Sequence, residues 1–101
     1  MEKFAISNDQ EFLEILYNYA LNLNIKDRER KIVQLGRKEL ENKVYSLSVA
    51  NRMVASFQRE AISSRLSKDT SVLYNSLKDY ISKNIPLGTP RVAGINAAYD
   101  L

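Results

Sequence analysis

The stretch Ile85-Pro86-Leu87-Gly88-Thr89-Pro90-Arg91-Val92-Ala93-Gly94 decides the fold class. It holds both prolines and two of the three glycines in the 101-residue chain, and Gly36 is the single breaker before it. Proline removes a backbone donor and glycine loosens the chain, so a sequence that avoids both and then gathers them is helical first and irregular last. This divides one domain-sized chain into a helical part, residues 1–85, and a C-terminal arm, residues 86–101.

Working back from Pro86, Ser67-Lys68-Asp69 caps a helix whose apolar face is Val72, Leu73, Leu77, Tyr80 and Ile81. That helix should stop before the proline. At the front, Ser7 or Asn8 suits an N-cap, with Gln10 or Glu11 placed to complete a capping box. Phe12, Leu16, Tyr19 and Leu23 then recur at helical spacing, which predicts a first helix from about Asn8 to Leu23, with Asn24 to Asp27 as connector.

Between these helices no strong stop signal appears from Arg28 to about Leu66. Val33, Leu40, Leu47, Val54 and Ala61 stand seven apart, the pattern of a continuous helix with an apolar seam. The expectation is an all-α helical bundle with a long central helix, about 28–66, flanked by two shorter ones and followed by the irregular arm. Such a helix is roughly 60 Å long, whereas a domain this size has a radius of gyration of about 13 Å. Apolar surface is then left for a second subunit, so a homo-oligomer is expected. The alternative is a break near 46–48, at Ser46-Leu47-Ser48, which yields an up-down four-helix bundle.

The chain has no cysteine and no histidine. Disulfides, thiolate nucleophiles and thiolate metal sites are excluded, and the usual general base and commonest metal ligand are missing. No cofactor or metal is expected. The front of the chain lacks the apolar run of a signal peptide, and no stretch approaches membrane-spanning length. A cytoplasmic protein with no membrane partner is the resulting expectation.

Net charge is +3, unevenly spread. Residues 1–24 are net acidic, whereas residues 25–68 hold eleven basic against five acidic residues. Within that basic middle, Lys31, Lys38, Tyr45, Arg52 and Arg59 form a second column of sevens, about opposite the seam. A row of cations with a tyrosine in it suits a phosphate backbone and a stacked base. The plainer reading is a solvated face with Asp27–Lys31 and Arg37–Glu41 pairs.

Candidate oligomer-interface positions are Val33, Leu40, Leu47, Val54 and Phe57 on the helix, and Leu87, Val92, Ile95, Tyr99 and Leu101 in the arm. An arm this apolar should dock, either on its own helices or on a neighbour. Enzyme signals are weak. Tyr74 and Lys78 have a Tyr-x-x-x-Lys spacing, but no glycine-rich strand–turn–helix accompanies them. Glu11 with Glu14, and Glu39 with Glu41, read as surface charge. These features predict a non-catalytic oligomeric helical protein that binds a macromolecular partner, and the chain's general appearance is compatible with a phage or plasmid accessory protein. The alternative is a nucleic-acid-binding protein using the basic column.

Overall fold

A computed structural model describes residues 3–84 and 98–101. Its four helices are α1 (Asp9–Ala20), α2 (Asp27–Glu41), α3 (Ser46–Ser63) and α4 (Lys68–Asn84), with no strand among the described residues. The expected all-α bundle is what the chain forms. Of the two arrangements considered, it is the four-helix one.

Helix α1 starts as the capping pattern predicts. Asn8 Oδ1 accepts from the Glu11 amide at 2.8 Å, and the Glu11 carboxylate accepts from the Ser7 amide at 2.9 Å. Its end comes sooner than Leu23 because Arg30, reaching back from α2, donates to the carbonyls of Ala20 and Asn22 at 3.2 and 2.6 Å. Asn24 completes the turn by donating its amide to Asn22 Oδ1 at 2.7 Å. At the start of α2, Glu29 accepts from the Lys26 amide at 2.8 Å, so Lys26 is the N-cap and Asp27 lies inside the first turn.

The expected continuous helix over 28–66 does not form. After Glu41 the Lys43 amide donates to the Leu40 carbonyl at 3.1 Å and the Val44 amide to the Glu39 carbonyl at 3.0 Å. These are the paired bonds of a Schellman stop, with Lys43 in the left-handed region at φ 66°. A glycine would announce such a stop in the sequence; a lysine there hides it. The chain reverses over Asn42 to Tyr45, and Ser46-Leu47-Ser48 opens α3 instead of interrupting a helix. Cross-pairs Arg28–Glu60 and Glu39–Arg52 bracket this turn, as an antiparallel α2–α3 hairpin requires. With a longest extent of 37 Å, the molecule has no room for a 60 Å rod.

The seam of sevens survives as two halves. Val33 and Leu40 belong to α2, Leu47 and Val54 to α3, and the interval across the turn is a consequence of its length. Both halves face one core with Phe12, Leu16, Ile32, Met53, Phe57, Leu73 and Leu77. Each large side chain removed from water there contributes about 1.5–3 kcal/mol. Gly36 lets α2 approach closely: a Cβ at that position would lie 2.6 Å from Met53 Sδ. Helix α1 meets α4 through Phe12 and Tyr80, whose rings stand 5.7 Å apart edge to face. The segment before α1 lies along α4, with the Phe4 amide on Ser76 Oγ at 2.9 Å and Lys3 paired with Asp79 at 2.9 Å.

Candidate interaction surfaces

The reversal after Glu41 rearranges the basic column. Lys31 and Lys38 stay on α2, Tyr45 enters the turn, and Arg52 and Arg59 move to α3. A single row along one rod therefore does not exist. Lys31 and Lys38 are exposed and line a groove of about 410 Å³ with Gln34, Leu35, Asp100 and Leu101. Arg52 is ion-paired with Glu39 and lies 4.4 Å over the Tyr99 ring. Arg59 donates to the Tyr99 carbonyl at 3.4 Å. The i,i+4 pair Arg37–Glu41 forms at 2.9 Å, while Asp27 pairs with Arg30 rather than Lys31.

The candidate interface residues divide by burial. Val33, Val54 and Phe57 are buried in the chain's own core, and Leu40 and Leu47 pack against it half-buried. These side chains pack within one subunit, so the seam of sevens does not itself supply a face for a second copy. Leu87, Val92 and Ile95 lie outside the described residues.

Tyr99 docks on its own helices. Its amide donates to Ser56 Oγ at 2.8 Å and its hydroxyl to Glu39 Oε1 at 2.6 Å, with only 3% of the residue exposed. Burial first, then the hydrogen bond to Glu39 and that group's charge, push the phenol far above its ordinary value. Tyr99 is therefore a neutral donor at any ordinary pH. Leu101 packs half-buried beside it.

A residue that sequence inspection passed over has the densest polar contacts. Glu29, 1% exposed, accepts from the Lys26 amide, from the Ser67 amide at 2.8 Å, from Ser67 Oγ at 2.7 Å and from Thr70 Oγ1 at 2.9 Å. Burial alone would raise its pKa, but the donors outweigh burial and hold the carboxyl below its usual value. It ties the start of α2 to the start of α4. Its one visible signal was its place three residues after Lys26, and lysine is not a capping residue, so the box went unread.

The apparent enzyme signals have structural explanations. Lys78 Nζ stands 5.2 Å over the Tyr74 ring, and Tyr74 accepts a hydrogen bond from Gln58 at 3.1 Å. Glu39 serves Arg52 and Tyr99, and Glu41 serves Arg37 and Tyr17. Among the described residues every buried side-chain polar atom has a hydrogen-bond partner, and no acidic cluster suits a metal ion. No described helix is long and apolar enough to cross a membrane.

An open groove of about 830 Å³ runs between α1 and the α2–α3 turn. Leu13, Tyr17, Leu40 and Val44 form its apolar part, Tyr45 stands at its edge with 66% of its surface exposed, and Asp9, Glu14 and Lys43 supply charge. Arg37 sits 5.3 Å over the Tyr17 ring and steadies it. Open aromatic and apolar surface with charge around it suits contact with another macromolecule.

Compared with known families, residues 7–82 match the model of the bacteriocin immunity protein family. No curated protein and no solved structure matches the chain.

Proposed function

Since the chain belongs to the bacteriocin immunity protein family, we propose that it protects a cell from a bacteriocin by binding a protein partner, without catalysis. The family match carries this reading, because it spans the helical body from the α1 cap to the last turn of α4. Structure supports the non-catalytic part: the carboxylates that sequence spacing singled out on α2 are engaged in ion pairs and hydrogen bonds that hold the bundle together. The partner surface is the groove between α1 and the α2–α3 turn, where Tyr17 and Tyr45 are exposed aromatic anchors of the kind that dominate interface energetics.

The test is expression in a bacteriocin-sensitive strain challenged with purified bacteriocins. Cells making the intact chain should survive a higher dose of at least one of them. Tyr45→Ala should lose most of that protection, by about tenfold or more for a true anchor, with its helical content unchanged. Well-expressed, folded protein that protects against no bacteriocin would overturn the reading.

A further inference from the structure

The end of the bundle where α1 passes to α2 and α3 to α4 carries three apolar side chains that the core does not use. Leu23 is 91% exposed, Leu21 78% and Ile62 76%. Exposed leucines scattered singly need no explanation; two in one connector, at the same end as an exposed isoleucine, do. The connector is also held firmly. Arg30 holds the carbonyls of Ala20 and Asn22, Asn22 Nδ2 donates to Asp69 at 2.9 Å, and Lys26 bonds Ser64 Oγ at 2.9 Å in the opposite loop. The leucines are presented on a braced surface, and neither groove described above includes them.

Charge at this end has one prevailing sign. Lys26, Arg28, Lys31, Arg65 and Lys68 are exposed. Of the acidic residues, Asp27 alone is fully exposed, and it is paired with Arg30. Glu60 is engaged by Arg28 and Asp69 by Asn22, while Glu29 is buried.

We propose that this end docks on the surface of an anionic lipid bilayer, with Leu21 and Leu23 entering the headgroup–acyl boundary and Arg65 and Lys68 meeting phosphate headgroups. Apolar side chains that protrude this far from the surface suit a fluid phase that moulds to them. A ring of cations supplies the attraction to anionic lipid that shallow burial alone lacks. That no described helix is long and apolar enough to cross a membrane does not bear on this, since docking needs no span. Nucleic acid would use the cations and leave the leucines without a role. The proposal stands apart from the immunity reading, and its test contains no bacteriocin.

The experiment is co-sedimentation of the intact chain with vesicles of phosphatidylcholine alone and of phosphatidylcholine mixed with phosphatidylglycerol. Binding is expected to the mixed vesicles, to weaken with salt, and to fall about a hundredfold in the double variant Leu21→Ser, Leu23→Ser. Arg65→Gln or Lys68→Gln should each cost about fivefold. Melting temperatures of these variants should match the parent, because the side chains changed are exposed.

Leu23→Trp supplies a second readout in a chain with no native tryptophan. Its emission should move to the blue on adding the mixed vesicles. No sedimentation with anionic vesicles, equal sedimentation with neutral ones, undiminished binding by the double leucine variant, or an unmoved tryptophan emission would each overturn the proposal.

Discussion

The two ends of this bundle are closed by different physics. At one end a buried carboxylate, Glu29, gathers donors from the starts of two helices and joins them. At the other, the α2–α3 turn is closed by backbone geometry: two amide–carbonyl bonds, a lysine at positive φ and an N-cap, Tyr45, that makes no side-chain cap bond. An end held by side-chain chemistry is rigid and responds to protonation. An end held by its backbone leaves Val44 and Tyr45 facing outward, where a partner can use them. The groove proposed for the protein partner thus lies at the end opposite the buried carboxylate.

Removing Glu29 should break the comparison most severely. Glu29→Ala orphans part-buried donors on Lys26 and Ser67 and the buried hydroxyl of Thr70, and is expected to cost about 3–5 kcal/mol. That is a large share of the stability of a small domain, and urea denaturation measures it. Because the folded carboxyl titrates below its ordinary value of 4.5, the stability it supplies is complete above that value. It is lost as pH falls through the lower folded value. Glu29→Gln should flatten this acid limb; an unchanged limb would mean that other carboxylates govern acid unfolding.

Tyr99 comes next, and it titrates in the opposite direction. Tyr99→Ala empties a buried site on α2 and α3 and should cost about 3 kcal/mol. Tyr99→Phe should cost about 1 kcal/mol, since Glu39 keeps Arg52. The raised phenol keeps its proton in the folded chain above its ordinary value of 10.0, whereas the unfolded chain loses it. Stability from Tyr99 is therefore full below about pH 10 and declines as pH rises. Tyr19, pushed up to about 12 by burial and by the Asp69 charge, acts in the same direction. An alkaline melting series on Tyr99→Phe separates the two, because only the Tyr19 part should remain.

These features differ in how visible they were in the sequence. Helices α1 and α4 were legible because their caps are orthodox, Asn8 with Glu11 at one and Ser67 at the other, and their apolar spacing is regular. The α2–α3 turn was not, because its left-handed residue is Lys43 and the seam of sevens runs across it without a gap. Core and interface look alike in such a seam: Val33, Val54 and Phe57 are as apolar in either role, and only the reversal assigns them to the core. Glu29 escaped notice because a buried carboxylate and a surface one share the same letter. Tyr45 was picked out by its place in a basic row that the fold divides, yet it remains exposed.

Between the two ends, Gly36 sharpens the comparison by testing how closely the middle is packed. Alanine would improve helix propensity by about 1 kcal/mol, but its Cβ falls 2.6 Å from the buried Met53 Sδ and 3.2 Å from Cγ. Relief requires a side chain with no exposure to move, at a cost of about 1–3 kcal/mol. Gly36→Ala is thus expected to destabilise by about 1 kcal/mol. Combining it with Met53→Ala should cost less than the two single changes added together. Strict additivity would show that the approach of α2 to α3 is not set at this contact.

The smallest effect has the opposite sign. Lys43 occupies a left-handed conformation that costs a residue with a Cβ about 1–2 kcal/mol. Glycine relieves this but adds freedom to the unfolded chain, worth about 0.5–1 kcal/mol. Lys43→Gly should therefore stabilise by about 0.5–1 kcal/mol, read as a raised urea midpoint at constant slope. The change leaves Tyr45 in place, so protection should survive if the turn serves only to present that side chain. A glycine variant that is more stable but no longer protective would make the lysine itself part of the binding surface. The backbone-closed end would then carry a charge requirement as well as an aromatic one.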